Sequence, residues 1–201
     1  MTKVLKLMLW LHALVALLSI LSDFGQLALV NGGYFSPEEA TANDARQRLV
    51  GLLRVGVYFS TVVVFAMWVY RANKNCRGFG AARMEFTPGW AVGYYFIPIL
   101  HLFRPFQSMK EIWKVSSNPR HWPTETVPAL VGWWWGLWIV ANVMGNIVVR
   151  LNMAADDVDS LRIATQISIV SSVVHVALVI AVVMVISRIL AMQLRLIEEP
   201  A

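Results

Sequence analysis

Ionisable and amide side chains inside long apolar stretches are the residues of this sequence with the greatest capacity for chemistry. Left unpaired in a bilayer such side chains are costly, so they mark either functional sites or contacts between helices. Helical spacing puts Asp23 and Gln26 on one face of the first apolar stretch. Counted from the outer helix ends, Asp23 and Arg54 have similar depth, which predicts a buried ion pair. The predicted polar intramembrane cluster consists of Asp23, Gln26, Arg54, Asn142, Asn146, Gln166 and His175.

Two interpretations of this cluster are open. In the structural one, Asp23 pairs with Arg54 and the amides hydrogen-bond between helices, which is a common packing device in membranes. In the functional one, the same side chains line a path for an ion or a small solute. The spacing of the residues fits both.

Haem is the cofactor to consider, because His12 and His175 are histidines inside apolar stretches. However, His12 is expected near the cytoplasmic end of its helix and His175 near the middle of its own. Two axial ligands have to meet at one depth, so we predict no haem and no other cofactor. Cys76 is the single cysteine, and CxxC, P-loop, HExxH and GxSxG patterns do not occur in the sequence. We therefore predict no metal site and no catalytic residue.

The elements that carry these side chains are four long apolar segments. Hydrophobic residues make up 58% of the chain and charged residues 14%, and the mean hydropathy is +0.60. A transmembrane helix needs about 20 predominantly apolar residues. We predict an all-α integral membrane protein with one membrane domain over residues 1–201 and four transmembrane helices at about 4–30, 48–71, 127–150 and 162–190.

The distribution of lysine and arginine predicts the orientation of these helices. Basic residues precede the first helix, fill the segment between the second and third, and follow the fourth, whereas the other two loops are mainly acidic. Short basic loops stay in the cytoplasm, so we expect both termini there, in a bacterial inner membrane. The net charge of +5 then fits anionic lipid at the cytoplasmic face. The lipid bilayer is the expected partner, and nucleic acid is not.

The segment between the second and third helices is apolar but broken. Pro98 interrupts the run from Trp90 to Phe103, because proline lacks a backbone donor and obstructs a regular helix. We expect a re-entrant segment at 88–103, followed by an interfacial amphipathic helix at 105–117 with Met109 and Trp113 on its apolar face. Lys110, Glu111 and Lys114 are expected on its polar face. The open alternative is a fifth transmembrane span.

This region also carries a resemblance to a known family. The stretches MWVYRANKN and FTPGWAVGYYFIPILHLFRPFQSMKEIW resemble the core of a bacterial membrane-protein family catalogued only as a domain of unknown function. His101 stands where asparagine is common in that family. The resemblance implies a fold and a location, and it brings no known catalytic residue. The residues of the core motif are Arg71, Pro88, Gly89, Trp90, Pro98, His101, Arg104, Pro105, Gln107, Glu111 and Trp113.

These observations favour a non-enzymatic interaction, regulatory or assembly module of the inner membrane. Such a module would associate with a second copy of itself or with a partner membrane protein. The alternative is a small transporter or channel that uses the re-entrant segment and the polar cluster. A haem-binding or lipid-modifying membrane protein is the third hypothesis. The sequence names no substrate for any of the three.

Overall fold

The computed structural model describes residues 1–198, which are 83% helical and contain no β-strand. Six α-helices follow one another along the chain. They are α1 (Thr2–Asn31), α2 (Pro37–Gly78), α3 (Pro88–Gly93), α4 (Arg104–Ser117), α5 (Ala129–Ala154) and α6 (Val158–Glu198). Two short 3-10 helices lie at Leu100–Leu102 and Trp122–Thr124.

Four of these helices, α1, α2, α5 and α6, are long and apolar enough to cross a membrane. This confirms the prediction of four spanning helices and identifies a multi-pass membrane protein. The four helices differ in how far protein covers them. In the most apolar window of each helix, 33% of the residues of α1 and 39% of those of α6 are buried, but only 6% of those of α2 and of α5.

Side-chain caps explain where α2 and α6 begin. At the start of α2 the Ser36 hydroxyl accepts from the Glu39 backbone N–H, and the Glu39 carboxylate accepts from the Ser36 N–H, which is a capping box. Pro37 occupies the first helical position, where a missing N–H costs nothing. At the start of α6 the Asp157 carboxylate accepts from the Ser160 N–H at 2.6 Å. Both helices therefore begin well before their apolar stretches.

The chain divides into two compact units, of which the first has a core of large apolar side chains. Unit 1 consists of Met1–Lys6, Val62–Gly136 and the described part of Ala181–Ala201. Its large, fully buried side chains come from five of the six α-helices that contribute to it, and they include Leu5, Val69, Met109, Ile112, Val131, Trp134, Ile186 and Ile189. Burying such side chains gives about 2 kcal/mol each.

Unit 2 has a different core, made of small and polar side chains. It consists of Leu7–Thr61 and Leu137–Ile180. Small side chains let helix backbones approach closely, which is typical of helices packed in membranes. The buried apolar residues are mostly alanine and valine, and the buried polar residues are Ser19, Ser22, Asp23, Gln26, Asn43, Thr61, Thr165, Ser168, Ser171 and Ser172.

The segment before α4 is broken into short pieces. The helix α3 has six residues, starts at Pro88, and is capped by the Thr87 hydroxyl, which accepts from the Trp90 N–H. After α3 the Leu100 N–H donates to the Pro98 carbonyl at 2.8 Å, and Ile99 between them has φ of +68°. This is a strained γ-turn. Neither α3 nor the 3-10 helix after it is long enough to cross a bilayer.

Candidate functional site

The polar cluster of unit 2 is centred on Gln26, which joins three helices. Its amide nitrogen donates to the Thr165 hydroxyl of α6 at 2.7 Å, and its amide oxygen accepts from the Asn43 amide of α2 at 3.1 Å. All three side chains are at least nine-tenths buried. Both ends of the Gln26 amide are therefore satisfied, and the contact fixes the register of α1 against α2 and α6.

Arg46 lies beside this contact and was not expected there. Its guanidinium donates to the Ser22 hydroxyl and carbonyl of α1 and to the Asn43 amide oxygen at 2.6 Å. A Cβ at Gly25 would meet the same guanidinium at 3.1 Å, so glycine at this position makes room for the arginine. Arg46 could not be recognised from the sequence because the residues before 48 were predicted to form a loop.

Asp23 is buried, with 6% of its surface exposed, but it is incompletely paired. Its Oδ1 accepts one long hydrogen bond of 3.4 Å from the Gln47 amide. The Ser168 hydroxyl lies near the carboxylate, yet Oδ2 has no partner that meets hydrogen-bond geometry. The carboxylate therefore keeps unused acceptor capacity.

Asp23 and Arg54 do not form the predicted direct ion pair, although their charges interact over a longer distance. Within residues 1–198 the side-chain ion pairs are Arg104–Glu85 and Arg162–Asp159. The reason is the register of the first two helices, in which Asp23 faces Gln47 and Ala16 faces Arg54. Arg54 thus lies two helical turns further along α2 than the residue opposite Asp23, which separates them by roughly 10 Å along the axis.

Arg54 lines a narrow surface cleft between α1, α2 and α6. The other lining residues are His12, Val15, Ala16, Val57 and His175. The His12 and His175 rings stack, with centroids 5.8 Å apart and an interplanar angle of 16°. The His175 Nδ1 lies 2.8 Å from the Ser171 carbonyl, which identifies Nδ1 as the protonated nitrogen. The cleft therefore combines one guanidinium with two imidazoles.

The expected difference in depth between His12 and His175 is contradicted by this stacking. Depth was counted from predicted helix ends, and α6 begins earlier and continues further than expected. The prediction that haem is not bound therefore loses the reason given for it and stays a prediction. Within residues 1–198, no three His, Cys, Asp or Glu side chains are grouped to hold a metal ion.

The remaining residues of the predicted cluster lie elsewhere. Asn142 and Asn146 donate to the carbonyls of Trp138 and Asn142, one turn earlier in their own helix α5. Asn146 is exposed, and so is Gln166, whereas its neighbour Thr165 is buried. Of the predicted cluster, the structure places Asp23, Gln26, Arg54 and His175 among α1, α2 and α6.

In unit 1 the residue with the clearest structural role is Glu111 of α4. It is buried, with 5% of its surface exposed, and was expected on the polar face of the helix. Its two carboxylate oxygens accept the backbone N–H groups of Glu85, at 2.5 Å, and Phe86, at 3.2 Å. Burial raises the pKa of the Glu111 carboxyl above its ordinary range, and the two hydrogen bonds oppose that rise. Glu111 thereby ties the loop after α2 to α4.

Other side chains fix the same loop from α2 and α4. The Asn73 amide and the Arg77 guanidinium both donate to the Phe86 carbonyl. The Arg104 guanidinium pairs with Glu85 at 2.6 Å and lies 5.7 Å from the Phe86 ring centroid. The loop is therefore held through both its backbone and its side chains.

Gln193 of α6 joins a second contact in unit 1 that sequence reasoning missed. Its amide nitrogen donates to the Ala72 carbonyl and to the Ser116 hydroxyl at 3.0 Å, and its oxygen accepts from the Asn75 amide. The buried Cys76 thiol lies 3.6 Å from the same nitrogen. The available signal in the sequence was Gln193 itself, because it is a polar residue on the buried face of the apolar helix α6.

The other core-motif residues have structural positions. Gln107 accepts from Arg104, Pro105 opens α4, and Trp113 is buried. Pro98 is the first residue of the γ-turn, and the His101 backbone N–H donates to the Ile97 carbonyl. Trp90 is 53% exposed, and Arg71 and Gly89 are exposed as well.

A comparison with known families gives a match. The profile of the domain of unknown function DUF4328 matches residues 32–191. The chain belongs to the DUF4328 family. This confirms the resemblance to a family with no described function. The DUF4328 match extends from before α2 into α6 and so includes both the Glu111 contacts and Arg54. No curated protein and no solved structure matches the chain.

Proposed function

We propose that this domain is a non-enzymatic assembly module of the bacterial inner membrane that associates with a second copy of itself through α5. The observation that carries the proposal is Asn146, an exposed amide in a helix that is apolar enough to span. Its nitrogen donates to its own helix, and within residues 1–198 its oxygen accepts no hydrogen bond. An amide oxygen that accepts no hydrogen bond in the hydrocarbon core of a membrane favours association with another helix.

The surface around Asn146 supports this proposal. Positions 140, 143 and 147 share one face of α5 by helical spacing, and position 146 lies one turn from 143, at the edge of that face. Val140, Val143 and Ile147 are 46%, 54% and 39% exposed. The face is therefore apolar with one amide at its edge, and we name Val140, Val143, Asn146 and Ile147 the α5 face.

A second copy is the occupant that fits the chemistry of the α5 face. An amide carries both donors and an acceptor, so Asn146 of one copy complements Asn146 of another across a two-fold axis. The three apolar side chains carry no charge that would oppose the same surface on a partner. Isologous contacts of this kind are the commonest way in which identical chains associate.

We place both termini in the cytoplasm, on the charge distribution of the loops. In this orientation the exposed apolar side chains of residues 94–103, which include Phe96 at 65% and Ile99 at 71%, enter the cytoplasmic leaflet as a re-entrant turn. The amphipathic α4 then lies at the interface with anionic lipid. Cysteines introduced at Ala91 and Leu102 should both react with a reagent from the cytoplasmic side, and reaction of Leu102→Cys from outside only would contradict this placement.

Subunit counting in liposomes tests the proposed association. We expect the wild-type chain, fused to a fluorescent protein and reconstituted at low density, to bleach in two steps. Asn146→Leu should bleach mainly in one step, because it removes the amide and keeps the apolar surface. Asn152→Leu is the matched control, since Asn152 makes the same contact to its own helix one turn from the α5 end. Equal counts for wild type and Asn146→Leu would contradict the proposal.

A small transporter or channel remains the second candidate, favoured by the incompletely paired groups between α1, α2 and α6. Asp23 Oδ2 and the hydroxyls of Ser171 and Ser172 are buried without hydrogen-bond partners. The polar residues of α1 from Gln26 to His12 span roughly 20 Å along the helix axis. The guanidinium of Arg54 lies on the same side and opposes passage of a cation. Cation flux into liposomes that Arg54→Gln increases would support this candidate over assembly.

A further inference from the structure

Arg54 is a charged residue that the rest of the described chain leaves without an acceptor. It lies 17 residues into α2, inside the stretch apolar enough to span. Its side chain forms no hydrogen bond and no ion pair within residues 1–198. A guanidinium has five donors and stays charged at any physiological pH. An unpaired charge at this depth is costly, so something outside the described contacts is expected to accept from it.

The surroundings of Arg54 select the charge of that acceptor. Two imidazoles and three apolar side chains complete the cleft. Asp23 is the nearest source of negative charge, but it faces Gln47 and forms no ion pair with Arg54. A cation would be repelled at the mouth of the cleft, whereas an anion would be attracted.

We propose that Arg54, flanked by His12 and His175, binds a phosphate group. The planar fork of a guanidinium matches two oxygens of a phosphate, and this geometry makes arginine a preferred phosphate ligand. The cleft encloses no space for a whole ligand, so the phosphate binds at its mouth against the half-buried arginine. The site is independent of the α5 face.

The depth of Arg54 brings the phosphate of a lipid head group within reach. The loop before α2 ends at Ser36, acidic residues follow in the first turn of α2, and the apolar part of α2 starts near position 48. Arg54 is six residues beyond that point, or about 9 Å along the helix axis. An arginine side chain extends far enough to bring its charge close to the head groups. A lipid phosphate and free inorganic phosphate present the same chemistry, so the experiment has to separate them.

The test uses the full chain in maltoside detergent, which contains no phosphate. Inorganic phosphate and monomeric dihexanoyl phosphatidylglycerol are titrated separately at constant ionic strength, and the dissociation constant is obtained from the shift in thermal unfolding. We expect Arg54→Gln to weaken binding about tenfold or more, as the loss of a charge-assisted bidentate contact would. Arg48→Gln is the matched control, because Arg48 is an exposed arginine of the same helix.

Each outcome decides the question. Binding of both compounds, lost in Arg54→Gln and kept in Arg48→Gln, supports a site for phosphate from either source. Binding of the phosphatidylglycerol alone supports a lipid head-group site. Wild-type protein that binds neither compound overturns the proposal, and this result does not depend on how a variant folds. Equal weakening by Arg48→Gln and Arg54→Gln also overturns it. Asp23→Asn should bind at least as tightly as wild type, since Asp23 forms no direct ion pair with Arg54 and its negative charge acts on Arg54 only from a distance.

Discussion

The two units each bury one carboxylate in α-helical surroundings, and they treat it differently. In unit 1, both oxygens of Glu111 accept backbone N–H groups of the loop after α2. In unit 2, Asp23 is equally buried, but it accepts one long hydrogen bond and its second oxygen has no partner. A buried acceptor without a donor costs about 1–3 kcal/mol. The first carboxylate therefore stabilises the fold, and the second is tolerated.

The cores of the two units differ as well. The core of unit 1 contains large apolar side chains such as Met109 and Ile112. The core of unit 2 consists of alanine, valine and polar side chains such as serine. Large apolar side chains fix one arrangement by shape, whereas small residues bring helices close and leave polar groups to choose partners. We infer that unit 1 supports the structure of the domain and that unit 2 carries the groups available for ligands.

The largest expected effect is the loss of the Glu111 contacts. Glu111→Ala leaves the Glu85 and Phe86 N–H groups without their acceptor, so we expect the free energy of unfolding to fall by about 3 kcal/mol. Chemical unfolding in detergent measures it. Glu85→Gln is the control, because Glu85 forms a largely exposed ion pair with Arg104 and its loss should cost less than about 1 kcal/mol. Similar losses in the two variants would contradict the role given to Glu111.

A much smaller effect is expected at Asp23. Removing one member of a buried ion pair costs about 3–5 kcal/mol, but Asp23 has no such partner. We expect Asp23→Asn to change the free energy of unfolding by less than about 1 kcal/mol, since the asparagine oxygen can still accept from Gln47. The double variant with Arg54→Gln should show a coupling energy below about 0.5 kcal/mol. A coupling above about 2 kcal/mol would show that the two residues pair in the membrane.

The architecture was largely predictable from the sequence, because apolar length is a direct consequence of bilayer thickness. The four spanning helices and the family were predicted and are confirmed. The starts of α2 and α6 were placed too late, since a capping box at Ser36 and a cap at Asp157 extend each helix beyond its apolar part. Orientation and the re-entrant turn stay predictions.

The polar contacts were less predictable, because they depend on the register between helices. Depths counted from estimated helix ends predicted a direct ion pair between Asp23 and Arg54 and different depths for His12 and His175. The structure shows neither. The true start of α2 lies about three helical turns before the predicted one and that of α6 about one turn before it, which changes the depth of the residues on each helix. Glu111 was placed on the polar face by spacing alone, and its actual partners are backbone groups of a loop. No sequence pattern reports such backbone donors.

The central claim is that the domain associates through the α5 face, and disulfide cross-linking in native membranes tests it most directly. Val143→Cys lies on the α5 face, whereas Val170→Cys on α6 has nearly the same exposure, 51% against 54%, and serves as the control. The natural Cys76 is buried and should not cross-link in wild-type protein. We predict that mild oxidation converts Val143→Cys to a dimer and leaves Val170→Cys monomeric. Equal cross-linking of the two variants, or none in either, would contradict the account.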